Sequence, residues 1–398
     1  MAGATSLVPQ FPLLERQRAI RFGRTLLVTA LLLAGAMVTL DALVDPFQQY
    51  RKPGWYEPRF YRPLQRHIDP GLAKHYDYDT VITGSSMMEN YRNSEAGTIL
   101  HGKVINLAMG AATASELREL LRTVLATGKA KHIIFDLNFN AFSGSPTAQV
   151  VTEPLPLYLY DDQRWNDIHY LLQSQTLAKS VEIALGLQRG RYSTDADAPW
   201  YWADEYTFSK ETVLRGLDLA NINRDFRQPP RTLDGMRASF ETNLTPLFRA
   251  HPEVRFSLLY PPYSALAWAD FRQREQLEVS LAFKRVVFDA VGNLPNVALY
   301  DFQGRLDWVT DLGNYKDIYH FSPRISRDLL AAIAAGSDRV DAGSLDASAV
   351  ALRTLAISTL PSAVDPTNGR ARSGQASAAS PSAPANATPQ SGTAAAAR

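Results

Sequence analysis

Two short stretches, far apart in the chain, carry the residue types that acyl chemistry needs. The first is Gly84-Ser85-Ser86, and the second is Tyr315-Lys316-Asp317-Ile318-Tyr319-His320-Phe321-Ser322-Pro323. A serine hydroxyl is a weak nucleophile until a base takes its proton, and the base works best when a third group orients it. An Asp three residues before a His on a turn can hold one imidazole nitrogen while the other faces a serine, so Asp317 and His320 are the candidate partners of Ser86. Ser322 and Pro323 read as an N-cap and first helical position, which would hold that turn at a helix start. Two further positions suit an oxyanion site: Gly110, in Asn106-Leu107-Ala108-Met109-Gly110, as a bare backbone N–H, and Asn138, in Asp136-Leu137-Asn138, as a side-chain amide. Glu89 and Arg92 follow the serine closely. Each reads either as a structural residue or as a substrate contact, Glu89 being also well placed in a first helical turn. Taken singly, every member has a plain alternative: a turn, a surface His, a loop glycine, an Asx-type turn. Their ordered placement argues for a site.

That placement depends on the elements between them. Residues 78–83, 104–107 and 132–137 are apolar runs of strand length, and 254–260 and 297–302 repeat the pattern later in the chain. Helical periodicity covers 113–127, opened by a capping box of Thr113 and Glu116 and stopped by Gly128. Further helices are expected at 233–249, 271–291 and 323–335. Strands alternating with helices predict an α/β fold, three-layer α/β/α with a parallel sheet. In such sheets ligands bind beyond the carboxyl ends of the strands, where Ser86, Gly110 and Asn138 all fall.

The ordered set Ser86, Gly110, Asn138 and Asp317-x-x-His320 resembles the SGNH (GDSL-like) hydrolase superfamily, over roughly residues 78–335. The resemblance implies a flavodoxin-like three-layer fold, a Ser-His-Asp triad, an oxyanion hole from Gly110 and Asn138, and neither metal nor cofactor. Ser85 stands where the usual first block has Asp, and the third block reads Asp136-Leu137-Asn138-Phe139 rather than Gly-x-Asn-Asp. Its N-terminal apolar segment and Gly-Ser-Ser block look closer to membrane-tethered relatives, such as the D-alanyl transfer protein of teichoic-acid modification and the alginate O-acetylation proteins, than to secreted lipases.

Residues 22–44 are charge-free except for Arg24 and Asp41, and about 20 helical residues, roughly 30 Å, span a bilayer. Arg16, Arg18, Arg21 and Arg24 lie at or before the start of the apolar run, so the positive-inside rule puts residues 1–21 in the cytoplasm and everything after residue 45 outside it. A signal peptide cleaved near Ala34-Gly35-Ala36 is the rival, but apolar residues continue past it. Residues 45–76 read as an irregular juxtamembrane stalk rich in Pro and aromatics, 77–340 as the α/β domain with an insertion at 143–230, and 363–398 as a disordered tail. The insertion clusters aromatics at Tyr158, Tyr160, Trp165 and Tyr170 and at Trp200, Tyr201, Trp202 and Tyr206; a small packed cap is the favoured reading, sugar stacking the other. Asp161, Asp162 and Asp167 lack the Gly and Glu of a calcium loop.

The 398 residues hold 41 Lys and Arg against 40 Asp and Glu, a net charge of +1, so no global field draws the protein to nucleic acid. No cysteine is present, which excludes disulfides, thiol catalysis and Cys-ligated metals. The leading expectation is a single-pass inner-membrane enzyme with its catalytic domain in the periplasm or outside. It moves or removes acyl groups on an envelope polysaccharide, with an acylated glycan or acyl ester as substrate and an envelope protein complex as a further partner. The alternatives are a catalytically inactive glycan-binding or scaffold protein of a polysaccharide export complex, and a plain hydrolase of lipid or small esters.

Overall fold

Strands too apolar to face water on either side must be covered on both, and that requirement shapes this chain. In the computed structural model, which describes residues 13–150, 154–216 and 231–359, five such strands form one parallel sheet. They are β1 (Thr80–Gly84), β2 (Val104–Ala108), β3 (His132–Asp136), β4 (Arg255–Tyr260) and β5 (Val297–Asp301), in the order β2-β1-β3-β4-β5. The register pairs Gly84 with Ala108, Asp136 with Leu259, and Tyr260 with Asp301. The strands therefore end almost level, and the loops carrying Ser86, Gly110 and Asn138 open along one edge of the sheet. The chain winds one way from β1 to β2 and the other way from β1 to β3, and the loops after β1 and β3 flank that switch point, where crevices form in doubly wound sheets.

Right-handed crossovers dictate the two helical layers. One holds α3 (Asn93–Leu100), packed on the helix Pro323–Ala335. The other holds α4 (Ala114–Ala126) with the helices Leu233–Asn243 and Leu277–Val291 in a contiguous row. The Thr113–Glu116 capping box is present, Leu117, Leu120, Leu121, Val124 and Leu125 are buried, and Gly128 follows with φ +67°.

Several expected boundaries move. The helix expected at 233–249 is two, Leu233–Asn243 and Thr245–Ala250, because Pro246 opens the second and supplies no N–H to continue the first. The helix expected at 271–291 is also two, Ala265–Gln273 and Leu277–Val291, with Glu275 at φ +58° between them. A helix not expected at all, Ala342–Ser358, packs on both of these and is pinned by a buried network in which Lys284 Nζ and Ser348 Oγ both donate to Asp301 Oδ2, each at 2.6 Å. The ordered α/β unit thus runs to Ser358 and not to residue 340. The tail expected to be disordered at 363–398 lies outside the described residues.

The segment at 45–76, expected as an irregular stalk, is packed into the main body and carries a helix. Phe47, Phe60, Tyr61, Ile68 and Leu72 are buried in the main core, and α2 (Gln65–His75) packs against α4 and β2. Pro70 hid this helix from the sequence reading, since a proline there cannot bond the carbonyl of Arg66. The hydroxyl of Tyr160, from the insertion, donates to that carbonyl instead at 2.8 Å.

The chain's one described helix long and apolar enough to cross a membrane is α1 (Leu13–Val44). Its outer part, including Leu26, Leu27, Leu31, Leu32 and Leu33, is exposed, while Asp41 and Val44 are buried where it packs on the insertion helices Ile168–Leu171 and Ser174–Ala184. The chain leaves α1 through Asp45, at φ +52°. The Asp45 carboxylate accepts from the N–H groups of Gln49, Tyr50 and Arg51 at 2.8–3.1 Å and from Tyr170 Oη at 2.9 Å.

Candidate active site

Gly84, the last residue of β1, lets the sheet deliver its serines. It sits at φ +131°, and a Cβ there would lie 1.9 Å from Asp136 Oδ1, so the first and third strand ends approach as closely as they do only because position 84 has no side chain. Ser85 then caps a single 3₁₀ turn, Ser86–Met88, which lifts Ser86 above the sheet edge.

The two distant stretches of the sequence meet here. Ser86 Oγ lies 2.9 Å from His320 Nε2, and His320 Nδ1 lies 2.8 Å from Asp317 Oδ2. The turn is closed by the same carboxylate, whose Oδ1 accepts the backbone N–H groups of Tyr319 and His320, both at 2.8 Å. Burial pushes the Asp317 carboxyl upward, but the facing His320 ring and these hydrogen bonds more than offset it and hold the group well below its ordinary value. Asp317 therefore stays a carboxylate at neutral pH. In this geometry the imidazole can accept the Ser86 proton while its other nitrogen remains a donor to Asp317. Lys316 Nζ lies 3.5 Å from Asp317 Oδ2 and sits over the rings of Trp202 and Tyr206. Trp202 meets the His320 ring edge-on at 5.5 Å. The insertion thereby walls one side of the histidine.

Asn138 follows β3 and is fixed on both ends of its amide. Its Oδ1 accepts from Tyr263 Oη at 3.1 Å and from the Asn140 N–H at 3.0 Å, while Nδ2 donates to Ser85 Oγ at 3.0 Å. One Nδ2 hydrogen is left without an acceptor among the described residues, and Asn138 lines the same cleft as Ser86 and His320. The cleft encloses about 510 Å³, a volume typical of small-ligand sites, and Ala111, Ala112, Thr113, Tyr263 and Tyr319 are among its other lining residues.

Three expected site residues sit elsewhere. The Gly110 N–H donates to Gln65 Oε1 at 2.8 Å and is not available to an oxyanion. Its lack of a side chain serves space: a Cβ there would come within 3.0 Å of Glu89 Oε1. Glu89 is buried behind the site, where it accepts from Gln65 Nε2 at 2.9 Å, and burial raises its carboxyl above the ordinary value. Its side chain is buried and does not line the cleft. Arg92 is drawn away from the cleft by ion pairs to Asp195 and Asp204 and by the Tyr201 ring, so it clamps the insertion to the sheet domain. Of the aromatics of that insertion, Tyr160, Tyr170 and Trp200 are buried in the main core and Trp202 is also buried, whereas Trp165 and Tyr206 are exposed.

The sequence reading missed Ser85 and Asp136 as a unit. Asp136 Oδ1 accepts the Ser85 N–H at 2.8 Å and Oδ2 accepts the Ser85 hydroxyl at 2.6 Å. The signal was a carboxylate ending a buried strand, next in the sheet to the strand that carries the serine. Burial raises the Asp136 carboxyl to about 6, against the lowering effect of the two Ser85 bonds. Because the folded value exceeds the unfolded one, the fold holds more protons than the unfolded chain between about pH 4 and 6. The unfolding free energy must therefore fall as pH rises through that window, by about 3 kcal/mol in all. In Asp136→Asn this component is expected to vanish. Urea unfolding of both proteins at pH 4 to 7 checks it: the wild-type minus variant difference should decline across the window and level off above it, and a difference independent of pH contradicts the argument.

Neither a protein-family model nor a curated protein matches this chain. Among solved structures it is similar to a chain from Streptococcus pneumonia named provisionally for platelet activating factor, at 12% identity and a TM-score of 0.34, over 69% of this chain and 91% of that one. A likeness at that level leaves the chemistry of this chain to be argued from its own side chains.

Proposed function

We propose that this chain is a serine esterase or O-acyltransferase of the SGNH type, held in the cytoplasmic membrane by α1 with its cleft outside the cytoplasm, and acting on acyl groups of an envelope polysaccharide. The observation that carries the enzymatic part is the alignment of Ser86 Oγ, the His320 ring and Asp317 within hydrogen-bonding distance, with Ser86 and His320 lining one open cleft. His320 Nε2 takes the serine proton as Oγ attacks the ester carbonyl carbon. The tetrahedral oxyanion is held by N–H donors on the cleft wall, and its collapse expels the alcohol, which receives the proton from His320. Water or a sugar hydroxyl, deprotonated by the same imidazole, then takes the acyl group from Ser86, whose departing Oγ regains its proton from His320. The topology rests on Arg16, Arg18, Arg21 and Arg24 preceding the apolar stretch of α1.

The full-length protein in detergent, treated with a fluorophosphonate, is expected to gain one covalent adduct, placed by peptide mass spectrometry on Ser86. A chain that hydrolyses small acyl esters but shifts product toward an acylated glycan when an oligosaccharide is added is a transferase; one indifferent to the acceptor is a hydrolase. Absence of any adduct replaces the enzyme by a glycan-binding or scaffold protein.

A further inference from the structure

We infer that the backbone donor facing Ser86 across the cleft is the N–H of Ala111, one residue beyond the glycine that the four-block pattern would assign. The inference rests on the proposed acyl-serine chemistry and concerns who stabilises its anion. An oxyanion hole needs N–H groups that point into the cleft and are not already bonded. Gly110 fails the second condition, since its N–H is bonded to Gln65 Oε1, itself held by Glu89. The next peptide is arranged differently. Ala112 N–H donates to Met109 O at 3.2 Å, closing a four-residue turn with Ala111 at its third position and φ +54°, the backbone signature of a type II turn. In a trans peptide the C=O of one residue and the N–H of the next lie in one plane and point in opposite directions, and there is no cis peptide among the described residues.

The Gly110 carbonyl faces inward. Arg66 Nη1 and Nη2 both donate to it at 3.3 Å, and the buried guanidinium is held by Glu116 through bonds of 3.0 and 2.9 Å. With the carbonyl turned to this buried ion pair, the Ala111 N–H is turned away from it, toward the side on which exposed Ala111 lines the cleft with Ser86, Asn138 and His320. It has no acceptor among the described residues. A non-glycine residue held at positive φ is strained and persists where the surroundings impose it. Here the Arg66–Glu116 pair on one face and Gln65 on the other fix both peptides of the turn. The hole then comprises the Ala111 N–H, the free Asn138 Nδ2 hydrogen and the Ser86 N–H, which also lacks an acceptor among the described residues.

Replacing a single amide by an ester tests this directly. In the full-length protein in detergent, lactic acid in place of Ala111 exchanges the N–H for an oxygen and keeps the methyl group; glycolic acid in place of Gly110 does the same one residue earlier. Turnover of p-nitrophenyl acetate is expected to lose about 10²- to 10³-fold in kcat for the position-111 ester, with KM changed little, and less than about 10-fold for the position-110 ester. Thermal melts of the two esters separate loss of a donor from loss of fold, since only the former lowers kcat without lowering Tm. The reverse ranking, or a position-111 ester within about threefold of wild type, overturns the assignment while leaving the serine chemistry in place. A wild-type chain that neither turns over ester nor takes the fluorophosphonate overturns both.

Discussion

Ser86→Ala is expected to lower ester turnover by about 10⁶-fold, His320→Ala by nearly as much, and the double variant by no more than either alone. The reason lies in how the two groups share one event. The hydroxyl is useful only while an imidazole nitrogen 2.9 Å away can take its proton, and the imidazole acts in this half-reaction only by carrying that proton from Ser86 to the leaving alcohol. Removing either partner removes the whole step, worth about 8 kcal/mol of barrier. What survives is the contribution of the cleft and its N–H donors, which act on any nucleophile, water included. Steady-state kinetics on the four proteins of the cycle measure the coupling. Independent, multiplicative losses would mean that Ser86 and His320 do not act together, and retention of turnover in Ser86→Ala would move the nucleophile elsewhere.

Asp317→Asn should cost about 10⁴-fold in kcat with the fold intact. The substitution is nearly isosteric, and the hydrogen bonds around the carboxylate tell which way the new amide will turn. Oδ1 of Asp317 accepts two backbone N–H groups, from Tyr319 and His320. In the variant those two donors keep the amide carbonyl, so the NH₂ group is left facing His320 Nδ1, where Oδ2 now lies at 2.8 Å. An NH₂ there needs Nδ1 as an acceptor, which moves the imidazole proton to Nε2, pointing at Ser86. The ring can no longer take the serine proton without first changing tautomer. Nitrogen-15 shifts of the His320 ring would register the exchange, with the proton on Nδ1 in the wild type and on Nε2 in the variant. Unchanged shifts with a large kinetic loss would mean that the carboxylate acts by its charge alone.

Most of the scaffold was legible from pattern because it rests on local rules. The strands are apolar runs of strand length, the α4 capping box follows from Thr113 and Glu116, and Ser322-Pro323 opens the last predicted helix where it begins. The pairing of Ser86 with His320 was legible for a related reason: parallel strands end together, so strand-end loops meet. What could not be read were contacts made by segments that disguise themselves. Pro70 masks α2, and α2 supplies Gln65 and Arg66, the two side chains that decide which way the peptides around Gly110 face. Sequence order indicates which loop reaches the cleft but not which of its amides points inward. Glu89 and Arg92 stayed open between a structural and a substrate role, since adjacency to a reactive residue in sequence places a side chain beside it or beneath it with equal ease.

The junction at Asp45 bears on how such a protein would meet a polymer. Its carboxylate gathers three backbone amides and a tyrosine hydroxyl, so α1 enters the α/β unit with no slack between them. A flexible tether would let the cleft sweep a hemisphere above the lipid and search for its acceptor. On the proposed reading, with α1 embedded in a membrane, this arrangement would set one altitude and one tilt, and the travelling would fall to the acceptor: a glycan strand would have to be threaded past a stationary mouth, as at a fixed workstation on a line.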